Sequence, residues 1–343
     1  MYRLYVVKLG LLSLVMLWGC QSVEKKDAGL FFLKGNVQLN QKNYEQALRY
    51  YEEALNKDPG FADAYLNKGL ALLKLERPQE ALDALSEAID KDDELYPAYL
   101  ARAEVAARLG QWDYAAADLE EISQLYADSS DFYLIRGNVR VGKNDPGASL
   151  ADFDRALALD PSNVEALVNR GAVYYGQKNF GPAERDFQKA LSIQPNQVQA
   201  LNNMGLITSR QQQWEQAIAY FDRALNINPV DPLTLNNKGY ALLNMGKYED
   251  AKQLIDRSLL NMPENGYALR NLGLYHTQKN HLSQATATFD KALELAQAVD
   301  FLHGYAGDAY LAAGNKSRAC QIWQEGVVLR DSIAQDRAAQ YCR

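Results

Sequence analysis

Three cysteines and three histidines are the chain's soft and imidazole side chains, and their spacing limits what chemistry they can do. His276 and His281 lie five residues apart, off the i, i+4 face that a zinc-binding helix needs, and His303 stands alone. All three read as surface or packing residues. No Gly-x-Ser-x-Gly elbow, phosphate-binding loop or Gly-x-Gly-x-x-Gly turn occurs. The acid pairs Asp92-Asp93 and Glu120-Glu121 fall at helix ends or outer faces, where solvation accounts for them. The sequence therefore predicts neither a catalytic constellation, a metal site nor a cofactor, and the expectation is a protein without enzymatic activity.

Cys20 is the exception that invites chemistry. Arg3 and Lys8 form a short basic region, Leu9 to Trp18 an uncharged apolar run, and Gly19 a small residue before the thiol. That layout is an export signal, too short to span a bilayer. Leu17-Trp18-Gly19-Cys20 resembles the lipobox of bacterial lipoproteins, with Trp18 where a small residue is usual. The resemblance implies removal of residues 1–19 and a diacylglyceryl group on Cys20. An ordinary cleaved signal with a chance cysteine, or an uncleaved anchor, are the alternatives. Gln21 is not the aspartate associated with inner-membrane retention, which favours the outer membrane, facing the periplasm. Losing Arg3 and Lys8 moves the formal charge from −7 to −9. An acidic body argues against nucleic acid and against anionic lipid as partners, so membrane attachment must come from acyl chains.

The elements that position everything else are repeats. Glycine recurs at Gly35, Gly69, Gly137, Gly171, Gly205, Gly239, Gly273 and Gly307, in steps of 34 residues or, across Ala103, 68. A small-residue column runs Ala47, Ala81, Ala115, Ser149, Ala183, Ala217, Ala251, Ala285, Ala319. A large one runs Tyr51, Leu85, Leu119, Phe153, Phe187, Phe221, Ile255, Phe289, Trp323. Spacings of three and four, as in Ala183, Phe187 and Ala190, mark one face of a helix, and Pro59, Pro161, Pro195, Pro229 and Pro263 close five units. Each unit is a helix pair, A then B, that must stack on its neighbours to bury its apolar face. Period and pattern resemble the tetratricopeptide repeat, TPR. The fold class expected is an all-α, right-handed superhelical solenoid of nine repeats over 28–333, starting at 28, 62, 96, 130, 164, 198, 232, 266 and 300. A lipidated tether (20–27) precedes them and a C-terminal cap (334–343) follows. The stretch 90–149 is the least regular, read as repeat drift.

Comparison between repeats predicts three A-to-B ion pairs, Arg102–Asp118, Arg136–Asp152 and Arg170–Asp186, each 16 residues apart and expected to contribute modestly as exposed pairs. Cys320 and Cys342 face one another if the chain reverses near Arg330-Asp331. In an oxidising compartment they form a bridge stapling the cap over the last repeat, the alternative being two buried thiols.

In TPR proteins the A helices line a concave wall. Carried onto this chain, the inward places hold Asn67, Asn169, Asn203, Asn237 and Asn271, with Asn202 and Asn236 beside them. This row resembles the asparagine ladder of O-linked N-acetylglucosamine transferases, without any transferase domain. Tyr175, Tyr240, Tyr267, Arg210 and Arg270 lie among the asparagines. Amide, phenol and guanidinium groups together suit an extended peptide, although the amides could instead bond only to neighbouring helices. A lysine and asparagine clamp for a peptide C-terminus is absent. Leu30-Phe31-Phe32-Leu33 opens the first repeat, with Phe31 and Phe32 as candidate homodimer contacts. The resemblance thus implies a membrane-anchored scaffold that binds proteins or peptides, with an accessory subunit serving a catalytic partner, or a self-associating scaffold, as alternatives.

Overall fold

A computed structural model describes residues 25–342; Cys20 and the export signal lie outside them. Among the described residues every regular element is helical. The chain divides into two compact units, Met1–Val173 and Tyr174–Arg343. In the first, A helices α1 (residues 25–40), α3 (Ala62–Lys74), α5 (Tyr96–Arg108), α7 (Ser130–Gly142) and α9 (Val164–Gly176) alternate with B helices α2 (Tyr44–Lys57), α4 (Pro78–Lys91), α6 (Trp112–Glu121) and α8 (Pro146–Leu159). The division between units falls within α9. The second unit continues with α10 (Phe180–Ile193), α11 (Val198–Arg210), α12 (Trp214–Ile227), α13 (Pro232–Asn244), α14 (Tyr248–Asn261), α15 (Gly266–Gln278), α16 (Leu282–Glu294), α17 (Leu302–Ala312), α18 (Lys316–Val328) and α19 (Ser332–Tyr341). The all-α architecture of stacked helix pairs is the one expected from the period.

The columns are explained by close approach. Every large residue from Tyr51 to Trp323 in its column is at most 1% exposed. Seven of the nine lie against the glycine of the same pair: a Cβ on Gly137 would stand 2.6 Å from Phe153, and one on Gly273 2.7 Å from Phe289. Real side chains do not pack that tightly, so the A helix must offer bare backbone where the B helix inserts its ring. Burying such a ring stabilises the pair by roughly 3–5 kcal/mol, judged by typical Phe→Ala losses.

A second regularity emerges at the A-to-B turns. Lys42, Glu76, Gly110, Asn144, Lys178, Gln212, Gly246, Asn280 and Gly314 all adopt positive φ, between 56° and 82°. They share one repeat place. Only three are glycine, so six turns hold an L side chain in a conformation that costs about 1–2 kcal/mol. The helix-pair packing outweighs that cost.

Arg102–Asp118 and Arg136–Asp152 are present and better protected than expected. Arg102 Nη2 lies 2.7 Å from Asp118 Oδ1, with Nε donating to Oδ2 at 2.8 Å, and the Asp118 side chain is 4% exposed. Asp152, 3% exposed, pairs with both Arg136 (2.7 Å) and Arg140 (2.8 Å). In each pair the carboxylate is buried and the guanidinium partly exposed, so removing the arginine strands a buried charge and costs more than the ~1 kcal/mol of a fully exposed pair. Arg170 Nη1 donates to Asp154 Oδ1 at 2.6 Å, in the preceding repeat. The same backward step of 16 residues joins Lys68 to Glu52 (3.4 Å) and Lys238 to Asp222 (2.5 Å).

The ends differ. Phe32 packs 4.8 Å from Phe61 and 6.0 Å from Tyr51, and Phe31 belongs to the same repeat's core. Both side chains are half-buried in these contacts, while the exposed apolar residues of α1 are Leu30, Leu33 and Val37, one helical stripe. At the other end Cys320 and Cys342 are bonded, with Cα atoms 5.5 Å apart. Tyr341 stacks on Trp323 at 5.8 Å. Asp331 caps α19 by accepting from Ile333 and Ala334 N–H, and its other oxygen accepts from Gly304 N–H of α17 at 2.9 Å.

Candidate functional site

The A helices of each unit form its candidate binding wall. In the N-terminal unit, α3, α5, α7 and α9 enclose a groove of about 590 Å³. Its floor is aliphatic: Leu70, Leu100, Ala101, Leu134 and Ile135. Its rim carries Glu104, Asp131 and Glu165, together with Arg108 and Trp112. Arg108 Nη2 donates to Glu104 Oε1 at 2.8 Å. Glu165 is open to water, yet the surrounding walls desolvate its carboxyl and push its pKa up, with the nearby charges of Glu104 and Asp131 adding to the shift. None of these groove residues stands in the asparagine row. A signal existed in the sequence: the inward places of repeats 3 and 4 read aliphatic and acidic where repeats 2 and 5 to 8 carry an asparagine.

The row itself is built from two kinds of contact. In the N-terminal unit Asn67 donates to Asn36 and Asn169 to Asn138, each at 2.8 Å, between neighbouring repeats. These pairs are half-buried, and Asn138 with Asn169 lines a second recess of about 300 Å³.

In the C-terminal unit the amides join into one relay. Asn237 donates to Asn202 (3.0 Å), Asn236 to Asn237 (3.3 Å) and Asn271 to Asn236 (2.7 Å). Arg270 donates to Asn271 through Nε (3.0 Å) and Nη2 (2.8 Å), and through Nη1 to the Asp300 carbonyl (2.8 Å). Asn271, Asn236 and Arg270 are 0, 2 and 6% exposed. Arg270 has the Tyr240 and Tyr267 rings about it, 5.0 and 5.1 Å away, and burial lowers its pKa. These three side chains lie inside the wall, where they hold repeats together. Nearer the surface stay Asn202, Asn203, Asn237, Tyr175, Tyr240, Tyr267 and Arg210. Arg210 lies 4.2 Å from the Phe180 ring, which Tyr175 also meets edge-on at 5.4 Å. Burial raises the Tyr175 and Tyr267 pKa values, so both phenols remain neutral donors at physiological pH.

His276 and His281 have ring centroids 6.0 Å apart, and among the described residues no group of three potential ligands could hold a metal ion. His303 packs its Cβ against Gly326. No described helix is long and apolar enough to cross a membrane.

Family models described as tetratricopeptide repeat match residues 32–97, 164–197, 198–228 and 220–253, and a TPR repeat model matches 137–178. The chain belongs to the tetratricopeptide repeat family. Among solved structures it is similar to the APC/C hetero-tetramer Cut9–Hcn1, at 15% identity and a TM-score of 0.66, over 92% of this chain and 76% of that one. A tetratricopeptide repeat protein from Parabacteroides merdae ATCC 43184 gives 17% identity and 0.53, over 72% and 98%. PilW, a type IV pilus biogenesis factor, gives 24% and 0.50, over 57% and 91%. At these identities the likeness is one of fold. No curated protein matches the chain in sequence.

Proposed function

We propose that the chain is a non-catalytic scaffold that binds peptides or partner proteins on its A-helix walls, held at the periplasmic face of the outer membrane by lipid on Cys20. The observation that carries the binding reading is the open, aliphatic-floored groove of about 590 Å³ on the N-terminal wall. That volume is in the range of about 300–1,000 Å³ usual for ligand sites, so it takes a short stretch of peptide. Tyr175, Tyr240, Tyr267, Arg210 and the accessible asparagines of the C-terminal wall offer the aromatic and polar contacts typical of interfaces. The lipid reading rests on the sequence alone. If seven residues, Gln21 to Asp27, separate the lipid from the repeats, their reach of at most about 25 Å keeps the first repeat near the membrane.

The test is a crosslinked pull-down from membranes of cells expressing the native chain or Leu70→Ser/Leu100→Ser, both groove residues that are half-buried. Specific partners lost from a variant that still melts cooperatively support the wall as the binding surface; partners retained reject the groove. Cys20→Ser should release the protein from the membrane fraction and abolish incorporation of labelled palmitate. Persistence of both signals would overturn the anchor.

A further inference from the structure

The groove of the N-terminal unit has a chemistry that narrows what can enter it. Its floor, with Leu70, Leu100, Leu134 and Ile135, offers only aliphatic surface, which rewards aliphatic side chains by desolvation. The rim is acidic from three separate helices: Glu104 on α5, Asp131 on α7 and Glu165 on α9. Arg108 is the cation in the lining, and it is already paired with Glu104. Asp131 and Glu165 make no ion pair among the described residues. The charge of Lys74, on α3, also acts on Glu165 and opposes that of the two neighbouring acids. Negative charge beside low-dielectric walls focuses the potential in the cleft and repels acidic ligands. Asn138 also lines the groove. Its Oδ1 is taken by Asn169, and its NH2 group is left for a main-chain carbonyl.

Building on the peptide-binding reading, we propose that this groove selects an extended segment with one lysine or arginine between aliphatic residues. The cation sits among Glu104, Asp131 and Glu165, and the flanking side chains lie on the leucine and isoleucine floor. The upward pKa shift at Glu165 agrees with this: its carboxylate, desolvated by the walls and then crowded by Glu104 and Asp131, gains from an arriving cation.

The experiment uses the full chain in detergent and three fluorescein-labelled peptides, Gly-Leu-Leu-X-Leu-Leu-Gly, with X as lysine, glutamate or norleucine. Fluorescence anisotropy should give the lysine peptide at least tenfold tighter binding than either other. Raising NaCl from 50 to 500 mM should erode that preference, as expected for charges in contact with solvent. Asp131→Asn/Glu165→Gln should shrink it to threefold or less while leaving the norleucine peptide unchanged. Both residues are exposed, so the variant should still melt cooperatively and be no less stable than the native chain. Equal or tighter binding of the glutamate peptide, or a lysine preference that survives the double substitution, overturns the ligand chemistry. Loss of partners in the Leu70→Ser/Leu100→Ser pull-down would then still uphold the groove as a binding surface. If none of the three peptides binds, this proposal fails, and the pull-down alone decides the broader reading.

Discussion

In the N-terminal unit, Asn67 and Asn169 each reach back to an asparagine at the ninth place of the preceding repeat, Asn36 and Asn138. In the C-terminal unit, Asn237 and Asn271 occupy the same sixth place but reach the fifth place of the preceding repeat, Asn202 and Asn236. The choice follows from what the neighbour offers. Where place 5 is leucine, as at Leu134, the amide finds Asn138 on the groove side; where place 5 is Asn202 or Asn236, it turns inward. One residue type in one column thus serves two ends. The N-terminal pairs remain half-buried, Asn138 and Asn169 beside an open groove, whereas the C-terminal amides merge with buried Arg270 into a relay linking α11, α13, α15 and the Asp300 loop. A buried polar network gains strength from its low dielectric surroundings and loses heavily when one member goes.

That contrast can be broken most sharply by truncating matched asparagines. Asn271→Ala leaves Arg270 and Asn236 short of a partner inside the wall and should cost about 3 kcal/mol, the scale for stranding a buried charge. Asn169→Ala removes a half-buried bond that water can replace and should cost about 1 kcal/mol. Hydrogen exchange resolved by unit would read both, since repeat arrays need not unfold as one. Equal losses would mean that burial does not separate the two kinds of pair.

Reduction of Cys320–Cys342 comes next. Opening a 22-residue separation should cost about 3 kcal/mol or somewhat less, and it should fall on the C-terminal unit alone. Faster exchange in α18 and α19 on adding dithiothreitol, with α3 to α8 unchanged, is the expected pattern. Uniform loosening of both units would contradict it.

The smallest effect sharpens the picture of the acidic groove. Glu165 has its pKa raised by folding, so the folded state binds more protons than the unfolded one between the ordinary glutamate range and that raised value. Its contribution is therefore favourable at low pH and is lost as pH rises through that window. Glu165→Gln should match the native chain's stability below the window and exceed it above. Because this side chain is in contact with water, the gain should be small, detectable as a divergence of urea midpoints between pH 4 and 8. A native chain that gains stability over the variant as pH rises would reverse the sign. Binding of a basic peptide should strengthen over the same range.

Much of the fold was legible because the repeat makes it so. A column such as Gly137 and Phe153 joins residues 16 apart in one pair, and nine copies print the constraint over and over. The positive-φ turns were not read: Gly110, Gly246, Gly314, Asn144 and Asn280 share one repeat place, but Lys42 and Glu76 at that same place masked the column. The backward ion pairs such as Lys238–Asp222 cross from one repeat to the previous one, so no comparison within a repeat exposes them. The candidate site was read least well. An asparagine column looked like a ladder because composition alone does not tell a wall's surface from its interior.

By itself the sequence determined the helix pairs, their length, their stacking order and the need for bare backbone at each glycine. These are local or once-repeated contacts whose period is visible along the chain. Tertiary structure alone decided the rest: that Arg270 with Asn271 is internal, that Phe32 packs on Phe61 and Tyr51, and that Glu104, Asp131 and Glu165 line one groove with an aliphatic floor. Each of those outcomes depends on side chains of different repeats converging. Their distances are set by how one pair packs on the next, and that geometry has no period of its own to read.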